Sequence, residues 1–417
     1  MPPASPWAGS SRSCGTAPSR TRPSTRPSDE RGRRVIFYIL AGVVSAAVTW
    51  GASWVIWRLS SKYKLYPSIR DRDVHSTPTP RLGGLAMFVG ILVAFAVASQ
   101  VSWFHLVFAK PGQIMAILGA AVIIVLIGVA DDIWDLDWLT KLAGQIIAAG
   151  LLVWQGVQLV TLPVGGITVV PPVVGLVLSV GAVVLVMNAV NFIDGLDGLV
   201  AGVAIIANGA FFIYSYILAR AVGETEYFNL ASLITAVLIG ACLGFLPLNW
   251  HPAKLFMGDS GALLVGLLMA TSAISVTGQI DPNTLQSGRL LAPAFIPILL
   301  PLAILLIPLL DFMLAVTRRI RAGKSPFSAD RKHLHHRLLD MGHTHLQAVL
   351  IFYSWTAVVS IGVLSFLFVP WGWSLAFIVV GLAATTVATL APLGKRMRLA
   401  ARSTQAHPAP QKKGAPS

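Results

Sequence analysis

The chain has 417 residues, of which 55% are hydrophobic and 12% are charged. Soluble domains carry about 25% charged residues, so this composition predicts an integral membrane protein and excludes a soluble globular enzyme. The formal net charge of +14 comes mainly from short loops between apolar runs, which favours topology control and phosphate-bearing partners over nucleic acid.

Polar segments flank the apolar part of the chain. Residues 1–34 are rich in Ser, Pro, Thr and Arg, and residues 393–417 are basic, so both are predicted to be disordered tails. Between them, at 35–392, we expect an all-α polytopic membrane domain of about eleven transmembrane helices. The apolar runs are 35–58, 82–104, 112–130, 139–156, 173–190, 198–219, 229–249, 261–278, 289–317, 346–369 and 371–392. Four prolines in the ninth run predict a bent or broken helix.

The basic residues also predict an orientation. Lys and Arg concentrate in alternate loops, notably 58–81 and 318–337, and in the C-terminal tail. Cytoplasmic loops are enriched in these residues, so we expect the N-terminus outside and the C-terminus in the cytoplasm. The arginines of the N-terminal tail oppose this orientation. In one predicted outside loop, 157–170, apolar and polar residues alternate in part, and Gly165-Gly166 suits a turn. This pattern predicts a short β-hairpin.

The segment NAVNFIDGLDG at 188–198 separates two membrane-length apolar runs. Its amides and carboxylates recur every third residue, as Asn188, Asn191, Asp194 and Asp197. Such groups at a membrane border are costly and suggest a functional site. We expect Gly195 and Gly198 to break the helix, so that the four side chains meet around a common point.

Further acids fall on the same predicted cytoplasmic side. Asp131 and Asp132 end the third run, where adjacent negative charges and the helix dipole repel one another. They are either a solvated helix end or ligands of a bound cation, and we favour Mg²⁺. Asp259, in the stretch MGDSG, begins the eighth run. It is either an ordinary helix N-cap or part of a phosphate or metal site.

Basic groups complete the pattern. The stretch HLHHR contains His333, His335, His336 and Arg337, in a short helix predicted from 328 to 341 and closed by Gly342. A zinc site and a basic helix on anionic headgroups are alternatives, but beside acids we favour diphosphate recognition. Arg81, in VHSTPTPRLGG, is a candidate phosphate ligand. Asp311, inside the ninth run, has a structural or a functional role.

Together these motifs resemble the polyprenyl-phosphate N-acetylhexosamine-1-phosphate transferase family, glycosyltransferase family 4. The resemblance covers residues 35–392 and depends on motifs in the family's order, namely VHSTPTPRLGG, the paired aspartates, NAVNFIDGLDG, FMGDSG and HLHHR. It is nearest to the branch that uses N-acetylglucosamine and undecaprenyl or decaprenyl phosphate. The muramyl-pentapeptide branch has three consecutive histidines, whereas here Leu334 interrupts the run and Arg337 follows it.

The resemblance implies specific roles. It implies Mg²⁺, with Mn²⁺ as a substitute, held by Asp259 together with Asp131, Asp132 and Asp194. Asp131, Asp132, His333 and His336 are expected to be catalytic. Residue chemistry and the resemblance together predict that the substrates contact Asn188, Asn191, Asp194, Asp197, Arg81, His335 and Arg337.

The expected reaction joins a UDP-sugar to a membrane lipid. A lipid phosphate oxygen attacks the β-phosphorus of UDP-N-acetylglucosamine and releases UMP, as the first membrane step of a cell-wall or cell-surface polysaccharide. A two-step route through an aspartyl nucleophile is an alternative. We expect a multi-pass protein of the plasma membrane with its site on the cytoplasmic face, and the family makes a homodimer plausible.

Other functions fit the sequence less well. Phospho-N-acetylmuramoyl-pentapeptide transfer, within the same family, is the main alternative. Transporters place polar sites near the midplane between two repeats, whereas here the acids lie at one face and no repeat is visible. CDP-alcohol phosphotransferases need Ala-Arg after an Asp-Gly pair, but Leu196 and Asp197 follow it here.

Overall fold

The structure is a computed structural model that describes residues 27–63, 79–163, 167–222, 226–277, 310, 313–314, 316–321, 323 and 334–406. We number the helices in these ranges in chain order. They are α1 (Pro27–Tyr63), α2 (Gly83–Ala98), α3 (His105–Phe108), α4 (Pro111–Trp134), α5 (Trp138–Trp154), α6 (Pro172–Ile193), α7 (Leu199–Val222), α8 (Glu226–Asn249), α9 (Gly258–Thr277), α10 (Leu334–Met341), α11 (His345–Ser365) and α12 (Trp371–Ala406).

These helices confirm the membrane class. Among the described residues, eight are long and apolar enough to cross a bilayer, and α2 with residues 102–108 makes a ninth if that bent pair is one span. Every predicted run except the ninth overlaps one of the helices. Run 289–317 lies almost wholly outside the described residues, as does Asp311, so the total of eleven stays a prediction.

Run 82–104 differs from the prediction. Helix α2 ends at Ala98, and the chain bends by 91° before residues 102–108. At this end of the helix the Ser99 hydroxyl donates to the Ala96 carbonyl at 2.7 Å. Residues 99–104 therefore do not continue helix α2.

Two helices extend into the segments predicted to be tails. Helix α1 begins at Pro27, inside the predicted tail 1–34, and α12 continues to Ala406, inside the predicted tail 393–417. Lysine and arginine after residue 394 are good helix formers that favour a helix C-terminus.

Two short strands lie in the loop where the hairpin is predicted. Strand β1 (Thr161–Pro163) pairs antiparallel with β2 (Ile167–Val169), with Leu162 opposite Thr168. The turn at 164–166 is outside the described residues. Its geometry, and the side of the membrane on which it lies, stay predictions.

Helix α9 is the centre of the bundle. In the most apolar stretch of α9, 89% of the residues are buried, whereas in the corresponding stretch of α12 only 11% are buried. It packs against α2, α4, α6 and α8. Glycines permit the close approach: a Cβ added at Gly84 would overlap the Gly261 backbone, and one added at Gly128 would overlap the Ser260 backbone. The beginning of α9 is therefore held tightly between α2 and α4.

This packing predicts the effect of a single methyl group. Gly128→Ala is expected to lower Tm by about 5 °C, because overpacking a tight helix contact outweighs the gain in helix propensity. Gly150→Ala is the matched control, since a Cβ at Gly150 meets nothing within 4 Å, and its Tm should be equal to or above that of the wild type. Thermal unfolding in detergent measures both, and equal shifts would contradict the contact.

Candidate active site

The N-terminal ends of α2 and α9 are joined by main-chain hydrogen bonds. The Phe256 N–H donates to the Pro80 carbonyl at 2.9 Å, and the Gly83 N–H donates to the Phe256 carbonyl at 3.0 Å. Gly258 then adopts a φ of +71°, and a Cβ there would overlap the Arg81 carbonyl. Glycine is needed for both reasons. The junction places Arg81 next to the beginning of α9.

Asp132 binds the N-terminus of α9. Its carboxylate accepts hydrogen bonds from the Asp259 N–H at 3.1 Å, the Ser260 N–H at 3.4 Å and the Ser260 hydroxyl at 3.2 Å. These N–H groups have no partners within their own helix. Asp131 and Asp132 are only 3% and 8% exposed, so a solvated helix end, one of the two alternatives, is wrong.

Lys141, near the N-terminus of α5, bridges two carboxylates. Its Nζ lies 2.6 Å from Asp131 Oδ2 and 3.1 Å from Asp259 Oδ2. The other oxygen of Asp131 accepts from the Leu136 N–H at 2.8 Å. Asn191 also hydrogen-bonds to the Asp259 side chain. Asp259 therefore directs its carboxylate towards Asp131 and Asn191, between α4, α5 and α6.

Asp194 follows α6, at the point where the helix ends. Burial first, and then the nearby Asp259 and Asp197 carboxylates, raise the pKa of its carboxyl to about 7, while Arg81 opposes them. Asp194 therefore lies in the same electrostatic environment as Asp259 and Arg81. A carboxyl with this pKa is readily converted to a ligand, because a bound cation displaces its proton.

The prediction that all four polar residues of NAVNFIDGLDG meet at one point is wrong. The helix continues to Ile193 before it breaks, so Asn188 is still on the α6 cylinder. Its side-chain amide donates to Gln145 Oε1 at 2.6 Å and to the Val184 carbonyl at 2.8 Å. Asn188 thus joins α6 to α5.

Asp197 belongs to a second cluster. Its Oδ2 accepts from His251 Nδ1 at 2.7 Å and from the Ala253 N–H at 3.1 Å. Its own N–H donates to His345 Nε2 at 3.1 Å. The rings of His251 and His345 are stacked with their centroids 4.4 Å apart. The motif is therefore divided between an acidic cluster and a histidine pair.

The histidine motif is described only in part. Helix α10 begins at Leu334 and ends before Gly342, whose φ of +104° confirms the predicted helix end. His333 and the side chains of His335 and His336 lie outside the described residues, and Arg337 is exposed. Nearby in sequence, the Arg319 guanidinium lies 6.0 Å from the Phe192 ring. The beginning of the basic loop therefore contacts the end of α6.

Sequence reasoning missed three residues that the structure places at the site, namely Lys141, Ser260 and His345. His251 lies in the loop 249–254, which offers possible donors in the sequence without a specific pattern. A signal existed for Lys141, because a charge near an apolar helix needs a partner. His345 follows a helix cap, and nothing in the sequence pairs it with Asp197.

The acidic cluster suits a hard divalent cation. The carboxylates of Asp131, Asp194 and Asp259 and the amide of Asn191 offer oxygen atoms, which Mg²⁺ prefers. Asp132 adds a fourth acid; among the described residues, Lys141 contacts the cluster and the charge of Arg81 acts on Asp194. Acidic groups in excess over bases at a buried helix junction favour a bound cation.

Comparisons with known proteins agree with this chemistry. The sequence profile described as "Glycosyl transferase family 4" matches residues 114–277. A decaprenyl-phosphate N-acetylglucosaminephosphotransferase of Mycobacterium leprae is 42% identical over 361 residues, which are 86% of this chain and 90% of that protein. A probable undecaprenyl-phosphate N-acetylglucosaminyl 1-phosphate transferase of Bacillus subtilis is 33% identical over 77% of this chain and 82% of its own length. A phospho-N-acetylmuramoyl-pentapeptide-transferase of Halalkalibacterium halodurans is 33% identical over 58% of this chain and 76% of its own length.

Proposed function

The chain belongs to glycosyl transferase family 4, and from this premise we propose that it transfers N-acetylglucosamine-1-phosphate from UDP-N-acetylglucosamine to a polyprenyl phosphate. The products are polyprenyl-diphosphate-N-acetylglucosamine and UMP. The higher identity to decaprenyl-phosphate enzymes, 42% against 33% for the undecaprenyl-phosphate relative, favours decaprenyl phosphate. The observation that carries the proposal is the acidic cluster at the ends of α4, α6 and α9, in contact with Lys141.

The reaction exchanges one phosphoanhydride for another. A lipid phosphate oxygen forms a bond to the β-phosphorus, and the bond from that phosphorus to the bridging oxygen of UMP breaks in line. Mg²⁺ held by Asp259, Asp131 and Asp194 would supply neutralising charge for the diphosphate and the leaving UMP. We assign the binding of a substrate phosphate oxygen to Arg81, which precedes α2 next to the beginning of α9 and whose charge acts on Asp194.

The paired aspartates have different tasks in this proposal. Asp132 is occupied by the amides of α9, so it holds Asp259 in position. Asp131 contacts Lys141 and is bound by a single main-chain N–H, that of Leu136. We therefore assign the orientation and deprotonation of the lipid phosphate to Asp131. His333 and His336, with His335 and Arg337, are proposed to bind the diphosphate and the sugar from the loop above.

The orientation of the protein belongs to the same proposal. We place the N-terminus outside and the acidic cluster on the cytoplasmic face of the plasma membrane, because basic residues concentrate in the loops at that end. UDP-sugars are soluble and polyprenyl phosphates are lipids, so a cluster at helix ends near the interface gives access to both. By analogy with the family, we also propose that the protein forms a homodimer.

UMP release from a panel of UDP-sugars tests the function. Purified protein with Mg²⁺ and decaprenyl phosphate is expected to release UMP from UDP-N-acetylglucosamine and to form a lipid-linked sugar. UDP-N-acetylmuramyl-pentapeptide should give no release, because HLHHR departs from the consecutive histidines of that branch. Release with the pentapeptide substrate alone would overturn the choice of sugar. No release with any UDP-sugar would overturn the proposed function.

A further inference from the structure

We propose that His345, acting with His251, is a positioning residue that holds the turn at Asp197-Gly198 and thereby directs Asp194 towards the acidic cluster. This inference deepens the proposed function and rests on it. Asp194 lies three residues before Asp197, at the end of α6, where its N–H still donates to the Asn191 carbonyl at 3.2 Å before the chain leaves the helix. The direction of its side chain therefore depends on the conformation of the turn that follows, which the histidine pair contacts.

The turn is held by hydrogen bonds from two other segments of the chain. His345 accepts from the Asp197 N–H at 3.1 Å, and His251 bonds to the Asp197 carboxylate at 2.7 Å. The Gly198 N–H donates to Asn249 Oδ1 at 2.9 Å, and its carbonyl accepts from the Tyr353 hydroxyl at 2.6 Å. Side chains from α11 and from the end of α8 and its following loop therefore specify one conformation of the turn.

Helix α11 is a rigid support for this contact. His345 is its first residue, after the N-cap Thr344, whose side chain forms a capping box with Gln347. Tyr353 lies two turns later and packs so closely on α7 that a Cβ at Gly202 would overlap its ring. Helix α10 precedes α11 by only three residues.

A metal ion is the alternative explanation for this cluster. Ligand atoms of Asp197, His251 and His345 lie within 4.8 Å of one another. An ion bound by two imidazoles must lie in the plane of both rings, yet these rings are stacked with an interplanar angle of only 16°. Nearly parallel planes one above the other do not share an ion. The hydrogen bonds instead account for both rings, so we infer positioning.

Substitution of His345 separates positioning from simple stability. His345→Ala should lower kcat/KM for UDP-N-acetylglucosamine by about tenfold or more, since small displacements of a reacting site are costly. His345→Gln, whose amide oxygen can accept from the Asp197 N–H, should recover most of the activity. His105→Ala is the control, because His105 follows α2 at the end opposite to the acidic cluster, and it should match the wild type. Tm should agree among the four proteins to within about 3 °C, because a single hydrogen bond contributes little to the stability of the whole bundle.

Hydrogen–deuterium exchange gives a readout that does not need turnover. His345→Ala should raise exchange in peptides covering residues 194–202 and leave peptides from α4 unchanged. Wild-type activity with unchanged exchange in this variant would overturn the inference, as would equal activity of the Ala and Gln variants. Stoichiometric Zn²⁺ binding by the wild type that is lost in His345→Ala would overturn the positioning role and show that the cluster is a metal site. If the wild type releases no UMP, the proposed function fails, whereas the exchange result still tests the contact.

Discussion

Replacing Asp259 by asparagine is expected to lower kcat for UMP release by about 1,000-fold, because removal of one group that stabilises transition-state charge costs about 10²–10³-fold. Asp259 contacts Lys141 directly, hydrogen-bonds to Asn191 and raises the pKa of Asp194. The asparagine keeps the shape but loses the charge, so the effect should appear in kcat with the fold intact. UMP release at saturating UDP-N-acetylglucosamine measures it.

Asp135→Asn is the matched control for this variant. Asp135 is exposed and has a φ of 54°, a conformation that asparagine adopts readily. Asp135→Asn makes the same Asp-to-Asn change four residues after Asp131 but outside the cluster. Its turnover should stay near that of the wild type. Similar losses in both variants would mean that negative charge in general, and not the cluster, supports activity.

Replacing Lys141 by glutamine is expected to lower Tm by about 5 °C in Mg²⁺-free buffer. The substitution leaves the Asp131 and Asp259 carboxylates facing each other without a cation. We take a cost of about 2 kcal/mol, below that of a fully buried pair because the Lys141 side chain is 25% exposed. Added Mg²⁺ should remove most of the difference, because an ion that binds only the folded state stabilises it.

Two results would contradict the role of Lys141. One is a Tm unchanged by the substitution, and the other is a loss that Mg²⁺ does not reduce. Lys62→Gln, at an exposed position near the end of α1, provides the control and should show neither the loss nor the response to Mg²⁺. Differential scanning fluorimetry across a Mg²⁺ series measures all three proteins.

The sequence predicted the spans because their signal is local. A membrane-length apolar run such as 173–190 is sufficient to define helix α6 to within a few residues. The positions of Asp131, Asp194 and Asp259 at helix ends followed from the same runs. The runs do not predict that these three residues lie close together. That depends on the packing of helices, such as the close approach of α4 and α9 at Gly128 and Ser260.

The division of NAVNFIDGLDG could not be predicted from spacing. Polar residues at regular intervals of three suggest that their side chains lie around one point. The helix continues to Ile193, however, and the side chains hydrogen-bond to different partners. Asn188 meets Gln145, and Asp197 meets His251 and His345. Those partners come from three different parts of the chain, so their proximity is a property of the tertiary fold. The ends of α1 and α12 were missed for a simpler reason, since charged helix formers extend a helix without an apolar signal.

The central claim is that carboxylates from α4, α6 and α9 hold one divalent cation for the UDP-sugar. Electron paramagnetic resonance of Mn²⁺, titrated into the protein with UDP-N-acetylglucosamine present, tests it most directly. We predict a single bound Mn²⁺ in the wild type and in Asp135→Asn, with affinity reduced about tenfold or more in Asp259→Asn. Wild-type Mn²⁺ affinity in Asp259→Asn would contradict the claim.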